Sequence, residues 1–269
     1  MSVGAPRWCH SGELDIAYRR EGTGPPLVIL PGALDDSRWW ERQLRDLSGD
    51  FTVVVWDAPG CGASADPPTD WSLTDFADCV ASLISAIGVA PVHLLGLSFG
   101  GALAIEVVRR HPDAVRSLLL VSAYAGWVGS LGPGEARARV AGAEQMPEMT
   151  ADELVHAWLP TMVAPSVTED RRRWMEHLVR DTRTGSAATV ARALAVDLRD
   201  VLPTIDVPTL VVHGTDDLRA PRPVADELVA RIPGAEMAII DGAGHLVNVD
   251  APGELATAVR EFLSRHHSP

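Results

Sequence analysis

The sequence predicts an α/β fold, a mainly parallel twisted sheet flanked by helices, with a helical cap inserted after the strand at 117–122. Three observations carry that expectation. Short apolar, β-branched runs alternate with stretches of helical periodicity, the pattern of βαβ units. The chain has 269 residues, 46% of them hydrophobic, enough to bury one large core. Between Tyr124 and Val201 the alternation stops, and helical spacing alone continues until strands resume at VPTLVV.

LVIL (27–30) and TVVVW (52–56) read as buried strands, the first followed by PGALDD and an amphipathic stretch over Ser37–Leu47, the second by the turn-rich DAPGCGASADPP. Leu73–Ile87 reads as a helix with Ser72 or Asp70 near its start and Gly88 at its stop. VHLLG (92–96) is a third strand, GALAIEVVRR (101–110) a helix, SLLLVS (117–122) a fourth strand, TLVVHG (209–214) a fifth and EMAIID (236–241) a sixth. A last helix spans about Pro252–Arg265. In the region without strands, Leu154, Trp158 and Met162 fall four apart, as do Trp174 and Leu178, so each set shares a helix face. These boundaries divide the chain into a core of residues 1–124 and 201–269 and a helical cap, or lid, of residues 125–200.

The formal net charge is −13, which argues against nucleic acid and anionic membrane surfaces as partners. All 23 basic residues are arginine, so lysine Schiff-base chemistry and a phosphate-loop lysine are excluded. Cys9, Cys61 and Cys79 are an odd, widely spaced set that suits neither a disulfide framework nor a zinc site. The opening MSVGAPRWCHSGELD has no basic segment followed by an apolar one, so a cytoplasmic protein without a signal peptide is expected. The uncharged stretch Gly88–Ile105 is interrupted by Pro91, Gly96, Gly100 and Gly101, which speaks against a membrane span.

The chemistry centres on LLGLSFGG (94–101). A strand that turns sharply into a helix cramps its turn residue, and small residues two before and two after keep strand and helix from colliding. Gly96 and Gly100 hold those places around Ser98, which makes Ser98 the candidate nucleophile at a strand-to-helix elbow. A serine hydroxyl needs a general base. His245 lies in the glycine-rich turn DGAGHLVN after the sixth strand, where the ring can project from the sheet's edge. The other histidines have simpler places: His93 and His213 in or at the end of a strand, His111 at a helix stop, His156 and His177 in the helical region, His10 near the start, His266 and His267 in the polar tail. A carboxylate must orient the base, and VVHGTDDLRAP offers Asp216 and Asp217 after the fifth strand, Asp217 being favoured. Asp57, in WDAPGCGAS, reads as a structural turn. Backbone N–H groups of Phe99, after the nucleophile, and of Ala33, after the first buried strand, are the candidate oxyanion donors.

With these residues in place the chain resembles the α/β-hydrolase fold superfamily, in its capped serine ester and lactone hydrolase branches. The resemblance runs over nearly the whole chain: PGA after the first buried strand, DAPGCGAS, GLSFGG, the HGTDD turn and GAGH. It implies the order Ser98, Asp217, His245, and supports Asp217 because the family's acid commonly stands three residues after the glycine of that turn. One departure is Pro31-Gly32 where many relatives carry His-Gly. Relatives that open epoxides or displace halide use an aspartate where Ser98 stands. Those that cleave carbon–carbon bonds often follow the catalytic histidine with tryptophan, where this chain has Leu246.

The resulting expectation is hydrolysis of a small to medium hydrophobic carboxylic ester or lactone through an acyl-enzyme, without metal or cofactor, by a monomer or homodimer. The alternatives are a carbon–carbon hydrolase, a perhydrolase, a cyclase or lyase on the same triad, and a non-catalytic small-molecule receptor. Candidate pocket residues are Trp39, Trp127, Trp158, Met162, Trp174 and Leu246, with Trp40, Met146, Met149 and Met175 adding apolar bulk. The run Arg171–Arg173 reads as a solvated helix face.

Overall fold

A computed structural model describes residues 4–88 and 90–266. Val89, His267 and the first three residues, on which parts of the readings above fall, lie outside the described residues. The strands are β1 (Arg7–Ser11), β2 (Leu14–Glu21), β3 (Pro26–Leu30), β4 (Thr52–Trp56), β5 (Val92–Leu97), β6 (Val115–Val121), β7 (Thr209–Gly214) and β8 (Glu236–Ile240). They form one sheet in the order β1-β2-β4-β3-β5-β6-β7-β8. The β1–β2 and β2–β4 pairs are antiparallel and every other pair is parallel.

The helices are α1 (Glu41–Leu47), α2 (Leu73–Ala86), α3 (Phe99–Arg110), α4 (Trp127–Gln145), α5 (Ala151–Trp158), α6 (Glu169–Arg180), α7 (Ala187–Leu194), α8 (Arg222–Arg231), α9 (Val247–Asp250) and α10 (Pro252–Ser264). None of those described is long and apolar enough to cross a membrane.

The central strands bury both faces, which is why they read as continuous apolar runs. Alternate residues serve two separate cores. Val28, Leu30, Leu94, Leu118 and Leu120 pack with α2, α3 and α8, while Leu27, Ile29, Leu95, Leu119 and Val121 pack with α1 and α10. The helices between β6 and β7 divide in the same way. Trp127, Ala143, Val190 and Leu194 of α4 and α7 join the first core, and Leu154, Trp158, Met175 and Leu178 of α5 and α6 join the second. Helix α4 is broken at Gly132, whose φ of 85° precedes Pro133, a residue with no N–H to continue the ladder.

Two departures from the sequence expectation are informative. The hairpin β1–β2 was not anticipated: β1 is an edge strand with residues mostly exposed, so it carries no buried apolar run. Helix α3 begins at Phe99, directly after Ser98, two residues before its expected start. The parallel register aligns Leu30 with Gly96, Leu97 with Val121, Val121 with Val212, and Gly214 with Ile240. The loops that follow these positions therefore leave the sheet along one edge, the carboxyl edge, where open α/β sheets carry their sites.

Candidate active site

Ser98 sits between β5 and α3 with φ 54° and ψ −110°, a backbone region that L-residues rarely occupy. The flanking glycines show why the turn can exist. A Cβ at Gly96 would lie 2.1 Å from the Gly100 carbonyl oxygen, and one at Gly100 would lie 2.0 Å from that of Leu30. The Ser98 N–H donates to the Val121 carbonyl at 3.0 Å, fixing the elbow to the neighbouring strand end.

His245 and Asp217 are together. His245 Nδ1 lies 3.0 Å from both Asp217 Oδ1 and Oδ2, and both side chains are wholly buried. Asp217 Oδ1 also accepts the N–H groups of Arg219 and Ala220, each at 2.9 Å. Burial by itself raises the Asp217 carboxyl. The charge and hydrogen bond of His245 and the two amides outweigh it, so the group lies below its ordinary value. Asp216 is exposed at the same turn, and its N–H donates to the Ala243 carbonyl. The loops carrying acid and base touch closely: a Cβ at Gly214 would stand 2.3 Å from the Ala243 oxygen. Among the described residues His245 Nε2, the nitrogen turned away from Asp217, is buried without a hydrogen-bond partner.

The His245 turn is held from outside. Asp250 Oδ2 accepts from Gly244 and from Ala164, and Leu246 donates its N–H to the Met162 carbonyl, each at 2.8 Å. Tyr124, its ring centroid 6.1 Å from that of His245, donates its hydroxyl to the Arg219 carbonyl at 2.6 Å.

Phe99 opens α3, so its N–H is one of the first-turn amides with no intrahelical acceptor. Ala33 is half-buried in the loop after β3. The next residue, Leu34, has φ 70°, strained for a branched side chain. Beneath this loop lies Asp35, fully buried, with neither carboxylate oxygen hydrogen-bonded among the described residues. Burial, and secondly the charge of Asp36, push its carboxyl up to about 8, so Asp35 is chiefly protonated at neutral pH. Asp57 is a turn brace: it accepts the N–H groups of Ser37 and Ala63 at 2.8 and 2.9 Å. His93 pairs with Ser117 and His111 with Asp78.

The candidate pocket residues do not all meet. Trp127 and Trp158 line a cavity of about 320 Å³ together with Ala33, Leu34, Met146 and Met149. Trp39 and Trp174 line a separate groove with Arg42 and Asn248. Trp39 still stacks edge-on against Trp158 and Trp174, at 5.9 and 5.6 Å. Met162 and Leu246 are packed in the second core and reach neither space. Arg173 pairs with Asp170 and Glu169, and Arg171 donates to the Asp250 carbonyl.

Sequence reasoning missed Arg139 and Arg219, which also line the cavity. Arg219 was legible in principle, two residues past Asp217. Arg139 was not, because it lies in α4, far from Asp217 along the chain. Among the described residues no cluster of His, Cys, Asp and Glu is arranged to hold a metal.

Solved structures with the same architecture include an esterase from Thermogutta terrifontis, 25% identical with a TM-score of 0.90 over 98% of this chain and all of that one. The enol-lactonase from Burkholderia xenovorans LB400 is 26% identical with a TM-score of 0.86, over 96% of this chain and all of its own. RutD of Azorhizobium caulinodans, which bears a carbamate-hydrolase name, is 27% identical over 249 residues, 91% of this chain and 93% of RutD. The model of the Alpha/beta hydrolase family matches residues 27–258, spanning the elbow, the acid turn and the histidine loop, and the chain belongs to that family.

Proposed function

We propose that this hydrolase is a serine enzyme that cleaves a small to medium carboxylic ester or lactone, with Ser98 as nucleophile, His245 as base and Asp217 as its orienting acid. The observation that carries the reading is the buried Asp217–His245 pair. It occupies Nδ1, which fixes the tautomer with the lone pair on Nε2. Ser98 Oγ attacks the ester carbonyl as its proton passes to His245 Nε2. The tetrahedral oxyanion is met by the N–H groups of Ala33 and Phe99, an interaction worth about 3–4 kcal/mol per donor in the barrier. Collapse expels the alcohol, which takes the proton from His245. Water, deprotonated by the same imidazole, attacks the acyl-enzyme, and the carboxylic acid leaves as Ser98 regains its proton. In a lactone the alcohol stays tethered to the product.

One chain supplies every group in this scheme, so a monomer suffices and neither metal nor cofactor takes part. Residues 125–200 act as the cap, with Trp127 and Trp158 in the wall of the substrate cavity. The Thermogutta esterase and the enol-lactonase support ester and lactone substrates; a carbamate, by likeness to RutD, presents the same carbonyl to the same triad. The three cysteines are free, which suits a reducing cytoplasm.

The test is turnover of short-chain p-nitrophenyl esters. Wild-type protein releases p-nitrophenol, and Ser98→Ala lowers kcat by about 10^4-fold or more. A Ser98→Ala protein that keeps full activity overturns the assignment.

A further inference from the structure

The cavity beside the Ala33 loop is lined mostly by apolar residues, with Gln145, Arg139 and Arg219 as its polar members. The environments of the two arginines differ from each other: like many of the chain's arginines, Arg139 is ion-paired, with Glu135. Arg38, Arg42, Arg109, Arg110 and Arg260 each close on an aspartate or glutamate. The half-buried Arg219 makes no ion pair among the described residues. Its one side-chain hydrogen bond runs from Nη1 to Thr161 Oγ1 at 3.2 Å. Withdrawal from water is the largest influence on it and lowers its pKa; Arg139 acts in the same direction, while Tyr124, Asp217 and Glu135 oppose the shift without cancelling it.

Arg139 is braced rather than free. It donates to Glu135 at 2.9 Å, to the Tyr124 hydroxyl at 3.1 Å and to the Arg219 carbonyl at 3.1 Å, and it lies over the rings of Tyr124 and Trp127. One guanidinium paired with Glu135 and one with no ion pair among the described residues thus line the same mostly apolar cavity, in a chain whose net charge is −13. A desolvated guanidinium without a counterion is costly. The folded chain accepts that cost at Arg219 although it carries 36 acidic residues. A carboxylate in the cavity would complete the set, because the planar fork of arginine binds it through two parallel charge-assisted hydrogen bonds.

We infer that Arg219, supported by Arg139, forms an anion subsite, and that the substrate is a short ester or lactone carrying a carboxylate of its own. This deepens the serine-hydrolase reading and rests on it for the reacting end. The cavity lies at the small end of the range for ligand pockets, about 300–1,000 Å³, so a chain of only a few carbons separates the carboxylate from the reacting carbonyl. The subsite supplies orientation as well as affinity: an anchored far end holds the carbonyl against the Ala33 loop, and reacting groups held in place react faster.

Two matched substrates test this, mono-p-nitrophenyl glutarate and p-nitrophenyl valerate, equal in chain length and different in one terminal carboxylate. The expected kcat/KM of wild-type protein favours the glutarate ester by about tenfold or more, the effect of one charge-assisted contact. Arg219→Gln removes that preference, mainly through KM. Arg219→Glu turns it against the anionic ester. Because Arg219 holds its own loop through backbone atoms, Arg219→Gln is expected to fold, which a melting curve checks. Equal turnover of both esters by wild type, or a preference that survives Arg219→Gln, overturns the subsite.

A second measurement separates this from failure of the serine reading. Glutarate binding to Ser98→Ala protein is followed by calorimetry, with glutaramide as the uncharged control. Glutarate bound more tightly than glutaramide, and lost in the Ser98→Ala/Arg219→Gln double variant, supports the subsite even if Ser98 proves not to be the nucleophile. Equal binding of the two, or binding kept by the double variant, contradicts it.

Discussion

The carboxyl edge of the sheet and the four helices between β6 and β7 are built by opposite rules. At the edge, Asp217 and His245 are buried and bonded to each other, and backbone meets backbone at glycines that tolerate no side chain: Gly96 against Gly100, Gly100 against Leu30, Gly214 against Ala243. The helical segment is held by a few apolar contacts from each helix and by ion pairs in water. Arg180 with Asp152, Arg183 with Asp66 and Arg38 with Asp181 are all solvent-accessible. Trp174 is exposed by 37%, whereas the side chains of His245 and Asp217 are wholly buried. The contrast teaches where tolerance lies. The edge fixes Ser98, Asp217 and His245 in place and leaves little room for sequence change. The helices present side chains to the cavity, and their exposed positions can be altered without touching the Met162 and Ala164 contacts that hold the His245 turn.

Substitutions at the edge should therefore have the largest effects. Asp217→Asn is expected to lower kcat by about 10^4-fold by losing the tautomer-fixing acceptor, while exposed Asp216→Asn changes it by less than about threefold. Steady-state kinetics on one ester decides this, and equal losses from the two variants would break the distinction between them.

A middle effect is expected at Asp35, under the Ala33 loop, and it depends on pH. The carboxyl is raised from 3.8 to about 8 in the folded chain, so between these values the native state keeps a proton that the unfolded chain gives up. Stability therefore falls as pH rises through that window and is lowest above it. Asp35→Asn carries no such penalty and should be more stable than wild type by about 1–3 kcal/mol near pH 9, with little difference near pH 4. Urea unfolding at both values measures it; an offset independent of pH contradicts the protonated carboxyl.

The smallest effect belongs to the helical segment. Arg183→Ala removes the pair with Asp66 and a 2.7 Å bond to the Ser64 carbonyl, and should cost only about 0.2–1 kcal/mol. A loss as large as that expected for a buried charge would mean the segment is not the adjustable region.

What was legible in the sequence follows the same division. The central strands could be read because burial on both faces leaves unbroken apolar runs such as LVIL and TVVVW. The elbow could be read because its steric demand falls on two glycines at fixed spacing. The β1–β2 hairpin left little trace, since an exposed edge strand buries few residues. Neither Leu34 nor Asp35 announced the strained loop with a buried acid beneath it, because both belong to tertiary packing. The pocket was the least legible part: Trp127 and Trp158 reach the cavity, Trp39 and Trp174 face another groove, and Met162 and Leu246 are packed away. A large apolar side chain looks alike in sequence whether it meets substrate or core, and Arg139 and Arg219, far apart along the chain, meet at one cavity only through tertiary packing.

The most direct test of the central claim is an acid-quenched mass spectrum taken during turnover of p-nitrophenyl acetate. The account predicts one acetyl group per chain, carried by the peptide that contains Ser98 and absent from Ser98→Ala. Hydrolysis at full rate with no acyl group on Ser98, or with the group on another residue, would contradict it.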